Sequence, residues 1–232
     1  MEDFTGNTFV AFIDISGFKN ILKRDTEKAK EVLTNFYQIG YNATFQENLS
    51  NNKNTNGLFV SDCGILYVPT NYVPKNENKN EIKESLESIL STIKKINIAA
   101  IKKDILLTTS IAYGQFYYEN RISHEHIEKN LIFGQAYIDA FIDNEKKLKG
   151  MAGYCRITKN EIIDEIISEI KDDSLYIKKY KNSEKYYNYF YWMLKDVSDY
   201  EKFNNEYNEC YNKKEDKWDC IKKLLKNYIN NL

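Results

Sequence analysis

Two apolar stretches that each carry a carboxylate into a turn constrain this chain more than any other feature. Phe9-Val-Ala-Phe-Ile-Asp14-Ile-Ser-Gly-Phe18 reads as a buried strand ending on Asp14, after which Ser16-Gly17 turns the chain into a helix. Val60-Ser-Asp62-Cys-Gly-Ile-Leu-Tyr67 reads as the turn and returning arm of a short hairpin, with Asp62 in the turn. Two hard carboxylates brought to one point suit Mg²⁺ or Mn²⁺, which take oxygen ligands and bind substrate phosphates beside one or two protein carboxylates. The free amides of the helix start after Ser16-Gly17 can face a polyphosphate. No Walker A loop and no GxGxxG fingerprint occurs.

The rest of the chain reads as α+β. Strand 9–14 precedes a helix over about 18–46, with Leu22, Ala29, Leu33, Phe36 and Tyr37 at helical spacing, and the Asn-rich tract 48–56 ends it. A hairpin over 57–61 and 63–68 leads to a polar loop, 69–80, carrying the only two prolines. Ile82, Leu86, Ile89, Leu90, Ile93 and Ile96 mark an amphipathic helix over 81–103. Leu106–Tyr113 is a buried strand that 115–119 extends past a bend at Gly114. This β-α-β-β-α-β order describes a ferredoxin-like sheet with helices on one face. Further along come a helix from Gly134 to about Lys149, a strand at 154–157, a helix over 159–170, an aromatic edge strand at 186–194 and a helical tail over 201–232. Residues 1–200 are read as the catalytic domain and 201–232 as an extension packed on it.

Composition narrows the class. With 42% hydrophobic and 29% charged residues the chain is globular, and a formal net charge of −1 argues against a nucleic-acid polymer as partner. Lys178-Lys-Tyr-Lys181 reads as a solvated face. The acidic start, Met1-Glu-Asp-Phe, is no signal peptide and no apolar run reaches membrane length, so a cytoplasmic protein without membrane contact is expected. Cys63, Cys155, Cys210 and Cys220 form no CxxC pair and read as reduced thiols. His124 and His126 read as loop residues, which leaves carboxylates to carry the chemistry.

Phe12-Ile-Asp14-Ile-Ser-Gly-Phe18 resembles the opening motif of the class III nucleotidyl cyclases, and Ser61-Asp62-Cys63 resembles their Gly-Asp hairpin turn. Ser110-Ile-Ala-Tyr-Gly114 and Ile132-Phe-Gly134-Gln-Ala-Tyr-Ile-Asp-Ala140 are similar to the family's next two segments, in order. The resemblance implies a site at a homodimer interface that cyclises a nucleoside triphosphate. Asp14, Asp62 and the Ile15 carbonyl would hold two divalent cations, Mn²⁺ or Mg²⁺, and the amides of Ser16, Gly17 and Phe18 would receive phosphate oxygens beside Phe12.

Departures from the family's pattern are informative. The adenine-reading Lys and Asp of adenylyl cyclases fall on Leu58 and Leu131, which cannot pair with a purine edge. The transition-state Asn and Arg fall on Ile138 and Ile142, with Asp139 and Asp143 one residue away. The chain has three arginines, Arg24, Arg121 and Arg156, and Arg156 in Cys155-Arg-Ile-Thr158 is the candidate to replace the lost charge. Gly134-Gln-Ala-Tyr137-Ile-Asp-Ala140 and Arg156-Ile157 also resemble the stand-alone bacterial pyrimidine cyclases of the Pycsar antiphage system. That resemblance implies cyclic UMP or cyclic CMP as product, sensed by a separate effector. A purine cyclase and a catalytically silent nucleotide-binding module stand as alternatives.

Overall fold

The computed structural model describes residues 3–50, 54–69, 78–124, 127–146, 152–170, 177–182 and 185–232. Among these, eight strands form one sheet in the order β2-β3-β1-β4-β6-β8-β7, with β5 paired to the second half of β4. Its centre is β1 (Phe4–Ile15), antiparallel to β4 (Leu107–His124) on one side and to β3 (Cys63–Tyr67) on the other. β2 (Asn56–Val60) completes the hairpin with β3.

Strand alternation divides the sheet into two faces. Phe9, Ala11, Ile13 and Ile15 point into the main core, while Val10 and Phe12 join a smaller cluster with Ile65, Tyr67, Ala112, Phe116 and Tyr118 on the other face. The main core lies under α1 (Phe18–Arg24), α2 (Thr26–Ser50) and α3 (Lys79–Lys102). Ile82, Leu86, Ile89, Leu90, Ile93 and Ile96 are all buried, as their spacing predicts.

Helices cover both faces rather than one. α4 (Gln135–Glu145) packs Ala136 and Ala140 on the small cluster, opposite the other helices. Its approach depends on Gly134: a Cβ there would come within 2.7 Å of Phe116 Cα, and the residue sits at φ +136°. Only glycine meets both conditions.

The expected helix over 18–46 is two helices. Asp25 adopts an extended conformation and its carboxylate accepts from the Lys28 amide at 2.9 Å, so the residue starts α2 rather than continuing α1. As a result Phe18, not Leu22, faces the core. β1 also starts five residues before the expected strand, because Phe4 to Thr8 pair with the extended second half of β4.

Beyond α4, β6 (Cys155–Ile157) runs parallel to β4 and α5 (Glu161–Glu169) follows. The aromatic strand expected at the edge over 186–194 is instead internal and shorter: β8 (Lys185–Phe190) lies between β6 and the edge strand β7 (Ile177–Asn182). Two strands had no expectation: β5 (Ile127–Phe133) and β7, the latter containing the lysine stretch read as a solvated face. Most of the polar loop over 69–80 and Lys147 to Lys149 lie outside the described residues, as does His126.

The tail is helical, as expected, and forms a hairpin of α6 (Tyr200–Asn212) and α7 (Lys217–Ile229). Phe203, Tyr207, Ile221 and Leu225 belong to the main core, and the Tyr207 hydroxyl donates to the Ala152 carbonyl at 2.7 Å. Cys210 and Cys220 form a disulfide across this hairpin, which corrects the reading of both as reduced thiols. The reversal between the helices brings their Cα atoms to 5.3 Å, a juxtaposition that a search for CxxC pairs misses. Neither Cys63 nor Cys155 takes part in a disulfide.

Candidate active site at the carboxylate pair

Asp14 is the last residue of its face of β1 before the turn, on the side of the small cluster. It lies directly across from Cys63 of β3 and Thr108 of β4. Asp62 occupies the two-residue turn between β2 and β3, and its carbonyl accepts from the Ile15 amide at 3.0 Å. That bond holds the hairpin tip against the end of β1. The ligand atoms of Asp14, Asp62 and Cys63 all lie within 4.8 Å of one another, with Asp14 buried and the other two half-buried. Ser61, which precedes Asp62, is held at φ +54°, a conformation that glycine adopts without cost, and its hydroxyl donates to Asp62 Oδ1 at 3.1 Å.

The donor set fits a hard divalent cation. Two carboxylates converge at a strand end, and the adjacent turn can accept the phosphates such a cation would carry. Ile15 closes β1 with its side chain in the core, which fixes the backbone that bears its carbonyl. Gly17 is left-handed at φ +79°, so glycine is required there by conformation although the space beside it is open.

Of the three amides expected to face phosphates, that of Ser16 is committed elsewhere. It donates to the Leu106 carbonyl at 2.8 Å, and the Ser16 hydroxyl meets Thr108 Oγ1 at 2.8 Å. Gly17 and Phe18 keep their amides at the helix start, where no intrahelical acceptor exists. Phe18 has its ring buried in the main core.

Phe12 lies beneath the site with its ring edge-on to Phe141 at 5.3 Å. Leu58 packs on the small cluster from β2, and Ile132 of β5 packs on the same cluster. Leu131, next to Ile132 in the strand, points to the opposite face. Within one protomer, therefore, Leu58 and Leu131 do not share a face.

The two acids beside the expected transition-state positions are both engaged. Asp139 accepts from Gln135 Nε2 at 2.8 Å. Asp143 is buried, accepts from Ser110 Oγ at 2.8 Å and pairs with Arg156 at 3.1 Å. Arg156, expected to lend charge to reacting phosphates, is instead 1% exposed and also donates to the Asp143 carbonyl at 2.6 Å. Its position on the three-residue strand β6, flanked by β4 and β8, turns it under α4 rather than toward solvent. Asn144, which sequence reasoning missed, donates to the Phe12 and Thr108 carbonyls, each at 3.2 Å. Its signal was available: Ala136, Ala140, Asp143 and Asn144 follow helical spacing, so two polar residues occupy the buried stripe of α4.

Ile138, Phe141 and Ile142 line the other side of α4 and are 40 to 46% exposed. On the helix side of the turn, a cavity of about 430 Å³ opens between Ser16-Gly17, α1 and the α6–α7 hairpin.

No protein-family profile and no curated protein matches the chain. Solved structures do match. The adenylyl cyclase CyaB from P. aeruginosa superposes with a TM-score of 0.56 at 14% identity, covering 82% of this chain and 95% of that one. The fold is that of adenylyl and guanylyl cyclase catalytic domains. The guanylate cyclase domain of RhGC from Catenaria anguillulae in complex with GTP gives 0.56 at 14% identity over 82% of this chain and 97% of that one. A bacterial light-regulated adenylyl cyclase gives 0.54 at 10% identity, but over 95% of this chain and 98% of that one. A non-canonical dimeric guanylyl cyclase domain of the RhoGC fusion protein from Blastocladiella emersonii gives 0.57 at 13% identity, over 82% of this chain and 96% of that one. Among the described residues no helix is long and apolar enough to cross a membrane.

Proposed function

We propose that this protein is a nucleotidyl cyclase that converts a pyrimidine nucleoside triphosphate, UTP or CTP, to its 3′,5′-cyclic nucleotide and pyrophosphate. The observation that carries this reading is the convergence of Asp14 and Asp62 within 4.8 Å, at the end of the strand whose next turn is Ser16-Gly17. The 3′ oxygen attacks the α-phosphorus, the bond to the bridging oxygen breaks, and pyrophosphate leaves with that electron pair. Such a reaction depends on positioning and on neutralising phosphate charge. Asp14 and Asp62, with the Ile15 carbonyl, would hold two divalent ions, Mg²⁺ or Mn²⁺. Bound there, such ions would lower the pKa of the attacking hydroxyl, whose proton passes to solvent, and would offset the charge of the departing phosphates. The Gly17 and Phe18 amides receive phosphate oxygens, and Phe12 supports the strand end from below.

The pyrimidine assignment rests on the resemblance, which aligns Leu58 and Leu131 with the polar purine-reading positions of the family; of the two, Leu58 packs on the face of the sheet that carries Asp14. A purine edge there would lose its hydrogen bonds, at a cost of about 1–3 kcal/mol per unmatched group. The exposed Ile138, Phe141 and Ile142 support a homodimer in which this face of α4 meets the second protomer, since contiguous apolar surface of this kind marks contact sites. That a solved neighbour is a dimer, though a non-canonical one, supports only the expectation of self-association. A separate effector that senses the cyclic product, and a role in antiphage defence, follow from the Pycsar resemblance.

The second reading is a nucleotide-binding module without turnover, favoured by the aliphatic Ile138 and Ile142 in place of polar groups. Incubating the purified protein with each of the four nucleoside triphosphates and Mn²⁺, then identifying products by mass, separates the two. Cyclic UMP or cyclic CMP is the expected product. Cyclic AMP or cyclic GMP in greater yield would overturn the base assignment, and binding without any cyclic product would favour the silent module.

A further inference from the structure

The cavity on the helix side of the turn is distinct from the carboxylate site, although both share the segment Ile15-Ser16-Gly17. Strand alternation sends the Asp14 side chain to one face of the sheet and that of Ile15 to the other, where it joins Ile105, Leu106 and Val32 in the cavity floor. The opposite wall comes from the tail: Lys214, Asp216, Lys217, Trp218, Asp219 and Lys222 line it, and Arg24 of α1 closes the rim. At about 430 Å³ it falls in the range that holds small molecules.

Its charges are unequally satisfied. Lys222 pairs with Asp219 at 2.7 Å, and Asp104 is neutralised by Lys226 at 2.6 Å. Lys217 lies over the Tyr211 and Trp218 rings, at 5.0 and 4.5 Å from their centroids. Asp216 starts α7 in a left-handed conformation without capping it. Among the described residues Arg24 of α1 and Lys214 of the α6–α7 loop line the same cavity without a carboxylate partner, against one carboxylate, Asp216, without a cation partner. The Cys210–Cys220 disulfide closes the loop that bears Lys214 and Trp218, so this wall is held in place. Cations over an apolar floor suit a ligand with a phosphate group and a less polar body.

We propose that this cavity binds a phosphate-bearing small molecule, held by Arg24 and Lys214, and that its occupancy acts on the carboxylate site through the shared turn. Binding stands on the cavity's own geometry. Its coupling to turnover rests on the cyclase reading. Two sources of the phosphate fit the chemistry: pyrophosphate, which the proposed reaction releases, and a nucleotide.

The test is calorimetric titration of the intact protein with inorganic pyrophosphate and, separately, with UMP, both in EDTA so that the carboxylate pair carries no metal. Wild type should bind one equivalent of at least one of them. The Arg24→Ala/Lys214→Ala variant should lose about tenfold or more in affinity with an unchanged melting temperature, since both side chains are exposed. Tighter pyrophosphate binding would identify the leaving group as the ligand; tighter UMP binding would identify a nucleotide. Asp62→Ala should bind as wild type does, whether or not the protein turns over any triphosphate. Failure of the cyclase reading alone would therefore leave this result intact. Binding of neither probe, binding unchanged in the double variant, or binding lost in Asp62→Ala would overturn the proposal.

Discussion

Asp143 of α4 and Arg156 of β6 form a buried ion pair at 3.1 Å, and the same guanidinium donates to the Asp143 carbonyl. The pair ties the C-terminal half of α4 to β6, which β4 separates from the strand that carries Asp14. Ser110 braces it through the Asp143 carboxylate, and Asn144 clamps β1 to β4 one residue further on. We propose that Arg156 is a positioning residue, acting on the site through α4.

Arg156→Ala should therefore leave a buried carboxylate without its cation and destabilise the fold by about 3–5 kcal/mol. Denaturant unfolding would show this. Mixing Arg156→Ala with Asp62→Ala protomers should restore no activity, because the arginine works within its own chain. Wild-type stability together with recovered activity in mixed dimers would instead place Arg156 across the interface.

The disulfide gives a second expectation. Reducing Cys210–Cys220, or replacing both residues by Ala, opens a loop with a sequence separation of 10 and should cost roughly 2–3 kcal/mol. For a chain of this size that lowers the melting temperature by roughly 5–10 °C. A melting curve with and without dithiothreitol measures it.

Burial raises the proton affinity of several groups. Tyr67 is pushed up to about 12, and Cys155, Tyr191 and Tyr207 are also raised, in each case chiefly by loss of solvent. In the unfolded chain such groups ionise near about 8.5 for Cys and about 10 for Tyr. The folded state thus holds protons that the unfolded state releases. This contribution is complete below the unfolded values and is lost as pH rises toward the folded ones. Melting temperature should hold steady to about pH 8 and fall steeply above about pH 10. A flat profile to about pH 12 would contradict the burial of these phenols.

Cys63 places a thiol beside the two carboxylates. Thiolate binds soft cations far better than Mg²⁺. Cd²⁺ should inhibit turnover, and Cys63→Ser should reduce that sensitivity by about tenfold while Mg²⁺-supported activity changes by less than about threefold. Inhibition curves for the two proteins decide it.

Much of this arrangement is legible in the sequence, for identifiable reasons. Asp14 and Asp62 stand out because each interrupts an apolar run at a turn, and strand pairing then has few ways to place them apart. The α3 stripe is legible because all of its apolar positions face one core. Helical spacing places Asp143 and Asn144 in the buried stripe of α4, but their partners, Arg156 and the Phe12 and Thr108 carbonyls, are distant in sequence and stayed hidden. β5 and β7 were hidden for a related reason: β7 is mainly polar, most apolar residues of β5 cluster at 131–133 instead of alternating, and pairing with β4 and β8 holds the two strands. Cys210 and Cys220 lie on separate helices, so only the reversal over residues 213–216 reveals that they meet.

The measurement that bears most directly on the central claim is cyclic-nucleotide formation from UTP and CTP with Mg²⁺ or Mn²⁺ by wild type, Asp14→Ala and Asp62→Ala, each checked for folding by circular dichroism. Wild type should form a cyclic pyrimidine nucleotide. Both variants should fall at least about a hundredfold while remaining folded, since each removes a carboxylate from the ion site. Either variant keeping more than about a tenth of wild-type turnover would contradict a catalytic site built on Asp14 and Asp62.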